Sequence, residues 1–355
     1  MKFARKDLRM TRMRMRMRMV ATILLWMAAW PVLATDAQAT DALASDVRAA
    51  DALPSWNDGA SKRAIVAFVE KVTTQGSSDF VPASERIAVF DNDGTLWAEK
   101  PVPFELYFTS DRIRALAPQH PEWKTTEPYR SVIANDTKGV AAAGKQGVME
   151  MLAATHAGMS TDEFNRIVGE WITTARHPQT GKPYPQMIYQ PMLELLEYVR
   201  SKGFKTYIVS GGGQEFMRAW TERVYGIPPG QVIGSNGELE YRLVDGKPTL
   251  VKLAKVALID DGPGKPVGIQ RFIGRRPIFA FGNSDGDRQM LEWTTAGSGP
   301  RFAGLVHHTD SKREYAYDRK DALAKLDKAW DQAMQQGWTV VDMSKEWKVV
   351  YPATP

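Results

Sequence analysis

Two aspartates stand one residue apart in Asp91-Asn92-Asp93, preceded by the apolar run Ile87 to Phe90 and followed by Gly94-Thr95. Side chains alternate along an extended chain, so residues 91 and 93 face the same side. Two more polar, glycine-rich runs follow apolar segments. Ser210-Gly211-Gly212-Gly213 comes after Phe204 to Val209, and Gly282-Asn283-Ser284-Asp285-Gly286-Asp287 after Pro277 to Phe281. A crevice built from all three would hold several carboxylates, a hydroxyl and exposed backbone amides. Like charges at that density are costly unless a cation neutralises them. Oxygen donors suit Mg2+, which keeps waters and phosphate oxygens in its shell. The amides of the Ser210 loop precede a predicted helix and suit an anion. Lys265, in Gly262-Pro263-Gly264-Lys265, lies just before another predicted helix start and adds positive charge. A divalent cation beside an anion cradle is the chemistry of phosphoryl groups.

Positioning these groups takes strands that end together. Apolar spacing predicts helices over 61–74, 192–201, 214–225, 266–273, 287–294 and 321–336, with Pro266 at the first position of its helix. Strands are predicted over 86–90, 204–209, 232–233, 277–281, 302–307 and 338–341. A hairpin is predicted from 238–243 and 250–253 around Asp245-Gly246. Between the first two chemical motifs the pattern turns helical, and Ser160-x-x-Glu163 reads as a capping box opening a helix through Trp171. The alternation predicts an α/β fold with a Rossmann-like parallel-sheet core, helices on both faces, and an inserted, mainly helical segment. Ligands of such sheets bind outside the carboxyl ends of the strands. The expected organisation is a signal peptide over 1–39, a linker over 40–60, a core of 61–100 and 189–355, and the helical insertion over 101–188.

The 355 residues include no cysteine, which excludes thiolate catalysis, disulfides and Cys-bound zinc. Apolar residues make up 43% and charged residues 25%, ordinary for a globular chain. Residues 1 to 39 hold eight bases against two acids, so a whole-chain charge of +5 leaves the remainder near −1. The basic character belongs to that leader, and no electrostatic argument for nucleic acid outlives its removal. A basic stretch, a short apolar run from Val20 to Leu33 and Ala37-Gln38-Ala39 read as a secretory signal. The run is short for a spanning helix, which takes roughly 20 residues. An uncleaved anchor is the alternative, and initiation at a later Met is compatible with the Met-Arg repeat. The expectation is export, to a bacterial periplasm, with no membrane span in the mature protein.

Asp91-x-Asp93-Gly94-Thr95, Ser210, Lys265 and the 282–287 run, in that order, resemble the haloacid dehalogenase superfamily, phosphatase branch, over about 61–341. The insertion resembles the helical cap of phosphoserine-phosphatase-like members. The resemblance implies that Asp91 is the nucleophile and Asp93 the general acid and base. It implies that Ser210 and Lys265 hold phosphoryl oxygens, and that Thr95 orients the loop beside the substrate-binding Gly211 and Gly212. Mg2+ is implied on Asp91, Asp93, Asn283 and Asp287, with Asp285 as the alternative ligand. The sequence departs from the family at Asn283, where the pattern has Asp. It also departs at Lys100, where a substrate-reading Glu is usual; Glu99 and Glu105 lie nearby. Lys252 and Lys255 rival Lys265 but fall in a predicted strand. His307-His308 and the aromatic residues Trp97, Phe104 and Trp171 read as structural.

The expected activity is Mg2+-dependent hydrolysis of small phosphate esters through an aspartyl-phosphate. A phosphotransferase or mutase of the same superfamily, and an exported inactive binding protein, are the alternatives. A dehalogenase would not need the second acid, Asp93.

Overall fold

The computed structural model describes residues 51–353. The expected signal peptide and the first part of the expected linker lie outside the described residues. The chain runs α1 (Ala60–Thr73), β1 (Ile87–Phe90), then the helices α2 (Phe104–Leu116), α3 (Tyr129–Ile133), α4 (Thr137–Ala142), α5 (Gly144–His156) and α6 (Thr161–Thr174). It continues through α7 (Gln190–Ser201), β2 (Lys205–Gly213), α8 (Gln214–Arg218), α9 (Thr221–Tyr225), β3 (Val232–Val244), β4 (Lys247–Leu258) and α10 (Gly264–Phe272). It ends with β5 (Phe279–Gly282), α11 (Arg288–Thr295), β6 (Phe302–His307), α12 (Lys328–Gln336), β7 (Thr339–Asp342) and α13 (Met343–Glu346).

The seven strands form one sheet in the order β4-β3-β2-β1-β5-β6-β7. All neighbours are parallel except β3 and β4. This is the expected α/β architecture. Every residue of β1 is buried, as befits a central parallel strand covered on both faces. Its side chains alternate between two cores. Ala88 and Phe90 join Ile208, Phe279 and Phe281 on one face, and Ile87 and Val89 join Val209, Ala280 and Leu305 on the other. The chain proceeds from β1 to β2 and β3 on one side and to β5, β6 and β7 on the other. That reversal opens a crevice at the carboxyl end of β1.

Helices α2 to α6 lie between β1 and β2 in sequence. Ser160 caps α6 by accepting the Glu163 amide at 3.0 Å. The insertion has two halves. Phe104, Phe108, Phe164, Val168 and Ile172 merge with the sheet's own core. A separate small cluster of Ile113, Trp123, Val132 and Met151 holds the outer part. Pairing of β4 with the insertion adds a tie, through Lys252 N–H to Met159 O and Gly158 N–H to Lys252 O.

Several expected elements change. Residues 51–59, expected as linker, dock on the body: Leu53 and Trp56 are buried, and the Trp56 indole donates to Pro191 O at 2.9 Å. The helix expected over 214–225 breaks into α8 and α9 at Trp220, which leaves helical geometry and stacks on Trp97 at 4.3 Å. The short strand expected at 232–233 continues without a break into the hairpin as β3. The turn at Asp245-Gly246 has positive φ at both residues, which suits a tight hairpin. Lys265 sits inside the first turn of α10 rather than ahead of it, with Pro266 third. The helix expected from 321 starts at Lys328. Upstream, the Asp321 carboxylate instead accepts the amides of Leu323 and Ala324 and pairs with Lys100 at 2.6 Å. Among the described residues, no helix is long and apolar enough to cross a membrane.

Candidate active site

The three strand ends do converge. The Lys265 ammonium donates to Asp91 Oδ1 at 2.7 Å, to Asp287 Oδ1 at 2.6 Å and to Val209 O at 2.8 Å. One lysine from α10 thus joins the ends of β1, β2 and the segment after β5. It is buried, as are both carboxylates. Burial opposes its charge, yet Asp287 and Asp91 hold its proton affinity above the ordinary lysine value. Burial, and then the Asp287 charge, push the Asp91 carboxyl up, while Lys265 draws it down. With both carboxyls ionised, two carboxylates against one ammonium would leave one negative charge uncompensated.

Asp93 lies on the same loop, with Gly94 at φ +73° turning the chain so that Gly94 N–H reaches Trp97 O. The Trp97 indole donates to Asp93 Oδ1 at 2.7 Å. Burial, with Glu99 and Glu105 nearby, raises Asp93 to about 7, against the Trp97 hydrogen bond. A side chain at Gly212 would have its first carbon 3.3 Å from Asp93 Oδ2, 3.5 Å from Glu105 Oε2 and 3.5 Å from Ser210 Oγ. Asp93, Ser210 and Glu105 therefore meet around the Gly212 backbone. The Ser210 hydroxyl accepts the Gly212 amide at 3.2 Å. Glu105, from the first turn of α2, accepts the Gly213 amide at 2.6 Å. The insertion thus sets a carboxylate on the loop where an anion was expected. Gly211 lends its carbonyl to Ser235.

The third motif divides its expected ligands. Asp287 has both oxygens engaged: Oδ1 by Lys265, Oδ2 by the amides of Asn283 and Ser284 at 2.9 and 3.0 Å. It holds both the lysine and the loop. Asp285, the alternative ligand, has one oxygen engaged elsewhere. Its Oδ1 accepts the amides of Asp327 and Ala329 at 3.0 and 2.8 Å, so it caps α12, a service its acidity suits. The buried Asn283 accepts from the Thr95 hydroxyl at 3.1 Å and donates to Glu99 Oε1 at 2.7 Å. Among the described residues no three His, Cys, Asp or Glu side chains form a metal cage. The fitting donors are fewer and all oxygen: the Asp91 carboxylate, the Asp93 carbonyl and the Asn283 amide oxygen. That all-oxygen donor chemistry suits a hard divalent cation.

The rivals fall away. Lys252 pairs with Glu215 at 3.3 Å and lies over the Phe164 ring; Lys255 pairs with Glu238. His308 donates to Gly94 O at 2.7 Å and contacts Glu314, a structural tie. Trp97 and Phe104 are core. One residue escaped the sequence reading. Asp260 is fully buried beside the α10 turn, and its carboxylate has no partner beyond a weak approach of the Ser210 backbone. Burial raises it to about 7, against the pull of Lys265. The Asp260-Asp261 doublet just before Gly262 was its available signal.

No curated protein sequence matches the chain. Among solved structures, a protein with unknown function from Bordetella pertussis Tohama I is similar at 16% identity and TM-score 0.48, over 73% of this chain and 99% of that one. A phosphoserine phosphohydrolase-like protein from Francisella tularensis subsp. tularensis SCHU S4 is similar at 16% identity and TM-score 0.34, over 62% and 87%. Phosphoserine phosphatase from T. onnurineus is similar at 17% identity and TM-score 0.32, over 64% and 86%. The sequence profile of the haloacid dehalogenase-like hydrolase family matches residues 88–292, which span β1, the insertion, β2 and β5. The match includes every one of the three strand ends that Lys265 joins, and the chain belongs to the haloacid dehalogenase-like hydrolase family.

Proposed function

We propose that this hydrolase cleaves small phosphate monoesters through an aspartyl-phosphate on Asp91. The observation that supports it most is Lys265, buried and bonded to Asp91 and Asp287, with Asp93 and Ser210 gathered beside it. Because Oδ1 of Asp91 is held by the lysine, Oδ2 is the attacking oxygen. It bonds to phosphorus as the ester P–O bond breaks, and Asp93 gives its proton to the leaving alkoxide. A carboxyl raised to about 7 carries that proton near neutrality. Water then attacks phosphorus, Asp93 takes the water's proton, and the bond to Asp91 breaks. The Ser210 hydroxyl donates to a phosphoryl oxygen, and Lys265, its three N–H groups held by Asp91, Asp287 and Val209 O, acts on the phosphoryl group through its positive charge. Bound Mg2+, on Asp91, the Asp93 carbonyl and Asn283, would neutralise phosphoryl charge.

In this reading 61–100 and 189–355 form the catalytic core, and 101–188 the cap that selects the substrate. Its inner half is continuous with the core, so only the outer half is free to move as a lid. Covered access favours small esters over phosphoproteins. We also assign the chain to export through its first 39 residues, to a bacterial periplasm. The test is a screen of phosphate esters on protein lacking residues 1–39, with Mg2+ and with EDTA. Release of phosphate from small esters, abolished by EDTA, is expected. Turnover of a folded phosphoprotein but of no small ester would overturn the substrate class. Phosphate passed to added alcohols in preference to water would make it a transferase.

A further inference from the structure

Glu99 is a buried carboxylate that the proposed reaction does not use. Its Oε1 accepts from the Asn283 amide at 2.7 Å and from the Tyr317 hydroxyl at 2.9 Å. The contact is tight against the first loop. A side-chain carbon at Gly94 would fall 2.1 Å from both Glu99 Oε1 and Asn283 Nδ2. The amide cannot be turned round without setting its oxygen against Glu99 Oε1, so Glu99 and Thr95 together fix its orientation. Tyr317, stacked on His308 at 4.3 Å and lying under the Lys100 ammonium, braces the carboxylate from behind. The Glu99 charge also reaches Asp93, where it is the strongest of the charged influences.

We propose that Glu99 is a positioning residue that works as a pair with Asn283. Glu99 supplies the negative charge that a neutral asparagine lacks, and holds the asparagine oxygen toward Thr95 for cation binding. The proposal rests on the Mg2+ reading above. It explains how a neutral residue serves at 283: charge and ligand are divided between two side chains 184 positions apart.

The test is Mg2+ binding to the full chain, measured by calorimetry without substrate, for the original chain and three variants. Glu99→Gln is expected to weaken Mg2+ binding by about 10- to 100-fold. Asn283→Asp alone sets two carboxylates face to face, and a lower melting temperature is expected. Glu99→Gln combined with Asn283→Asp exchanges donor and acceptor, and is expected to restore affinity to within about threefold. A Glu99 that only filled space would leave Mg2+ affinity unchanged in Glu99→Gln. If the original chain binds Mg2+ and Glu99→Gln binds it equally well, or the double variant binds no better than Glu99→Gln, the pair is overturned alone. If the original chain binds no Mg2+, the metal reading and the pair fall together.

Discussion

At the strand ends, Asp91, Lys265 and Asp287 are each less than a tenth exposed and joined at 2.6–2.7 Å. In the outer half of the insertion, only Ile113, Trp123, Val132 and Met151 make a buried cluster. The first region spends burial on charge and the second on a few apolar contacts. A buried ion pair contributes little net stability but punishes the loss of one member. A small apolar cluster carries no charge and can open locally without disturbing the sheet. The difference teaches where chemistry and selection can reside. Groups fixed by three strands keep one geometry, and a thinly packed helical patch is the part that can open beside them.

Breaking the charged region should have the largest effect. Lys265→Met leaves Asp91 and Asp287 buried without their counter-charge. Stability should fall by about 3–5 kcal/mol in urea unfolding, and ester turnover by about 10²–10³-fold. If both were unchanged, the lysine would be a bystander.

Next comes the outer insertion. Trp123 stacks between His120 at 4.2 Å and Tyr129 at 4.6 Å. Trp123→Ala should cost about 3–5 kcal/mol, felt locally. Hydrogen exchange should quicken over residues 117–156 and stay slow in β1 and β2, with turnover of a minimal ester retained. Equal acceleration in β1 would show one cooperative unit and erase the contrast.

The smallest effect concerns Asp260. Its folded proton affinity, about 7, lies above the ordinary 3.8. The native state keeps a proton that the unfolded chain has released, so stability declines as pH rises from about 4 to about 7. The share of one such group is up to roughly 1.4 kcal/mol per pH unit. Asp260→Asn carries no such proton, and its unfolding free energy should decline less between pH 5 and pH 8. A slope identical to the original chain's would mean that the buried carboxyl finds a partner on its own.

The sequence made much of this site legible, because strand-end motifs are local. The Ile87–Phe90 run, the glycines after Val209 and the turn at Asp245-Gly246 each announce themselves within a few residues. Long-range partners do not. Asp285 read as an alternative ligand, but its partners begin 42 positions later, at the start of α12. The engagement of Asp287 and the bracing of Asn283 by Glu99 depend likewise on contacts that no local pattern encodes. The start of α12 was missed because Asp321 satisfies its neighbours' amides in a turn and pairs with Lys100. Trp56 was hidden because its partners, Pro191 and Trp347, lie far along the chain.

The central claim is a covalent phosphoryl group on Asp91. It is tested by acid-quenching the chain during turnover of a phosphate ester with Mg2+ and mapping the added phosphate by peptide mass. The account predicts one hydroxylamine-labile phosphate on the peptide that holds Asp91. It predicts more of it in Asp93→Asn, where the hydrolytic water has no base, and none in Asp91→Asn, which should also lose turnover. Near-normal hydrolysis by Asp91→Asn, or phosphate on a different residue, would contradict it.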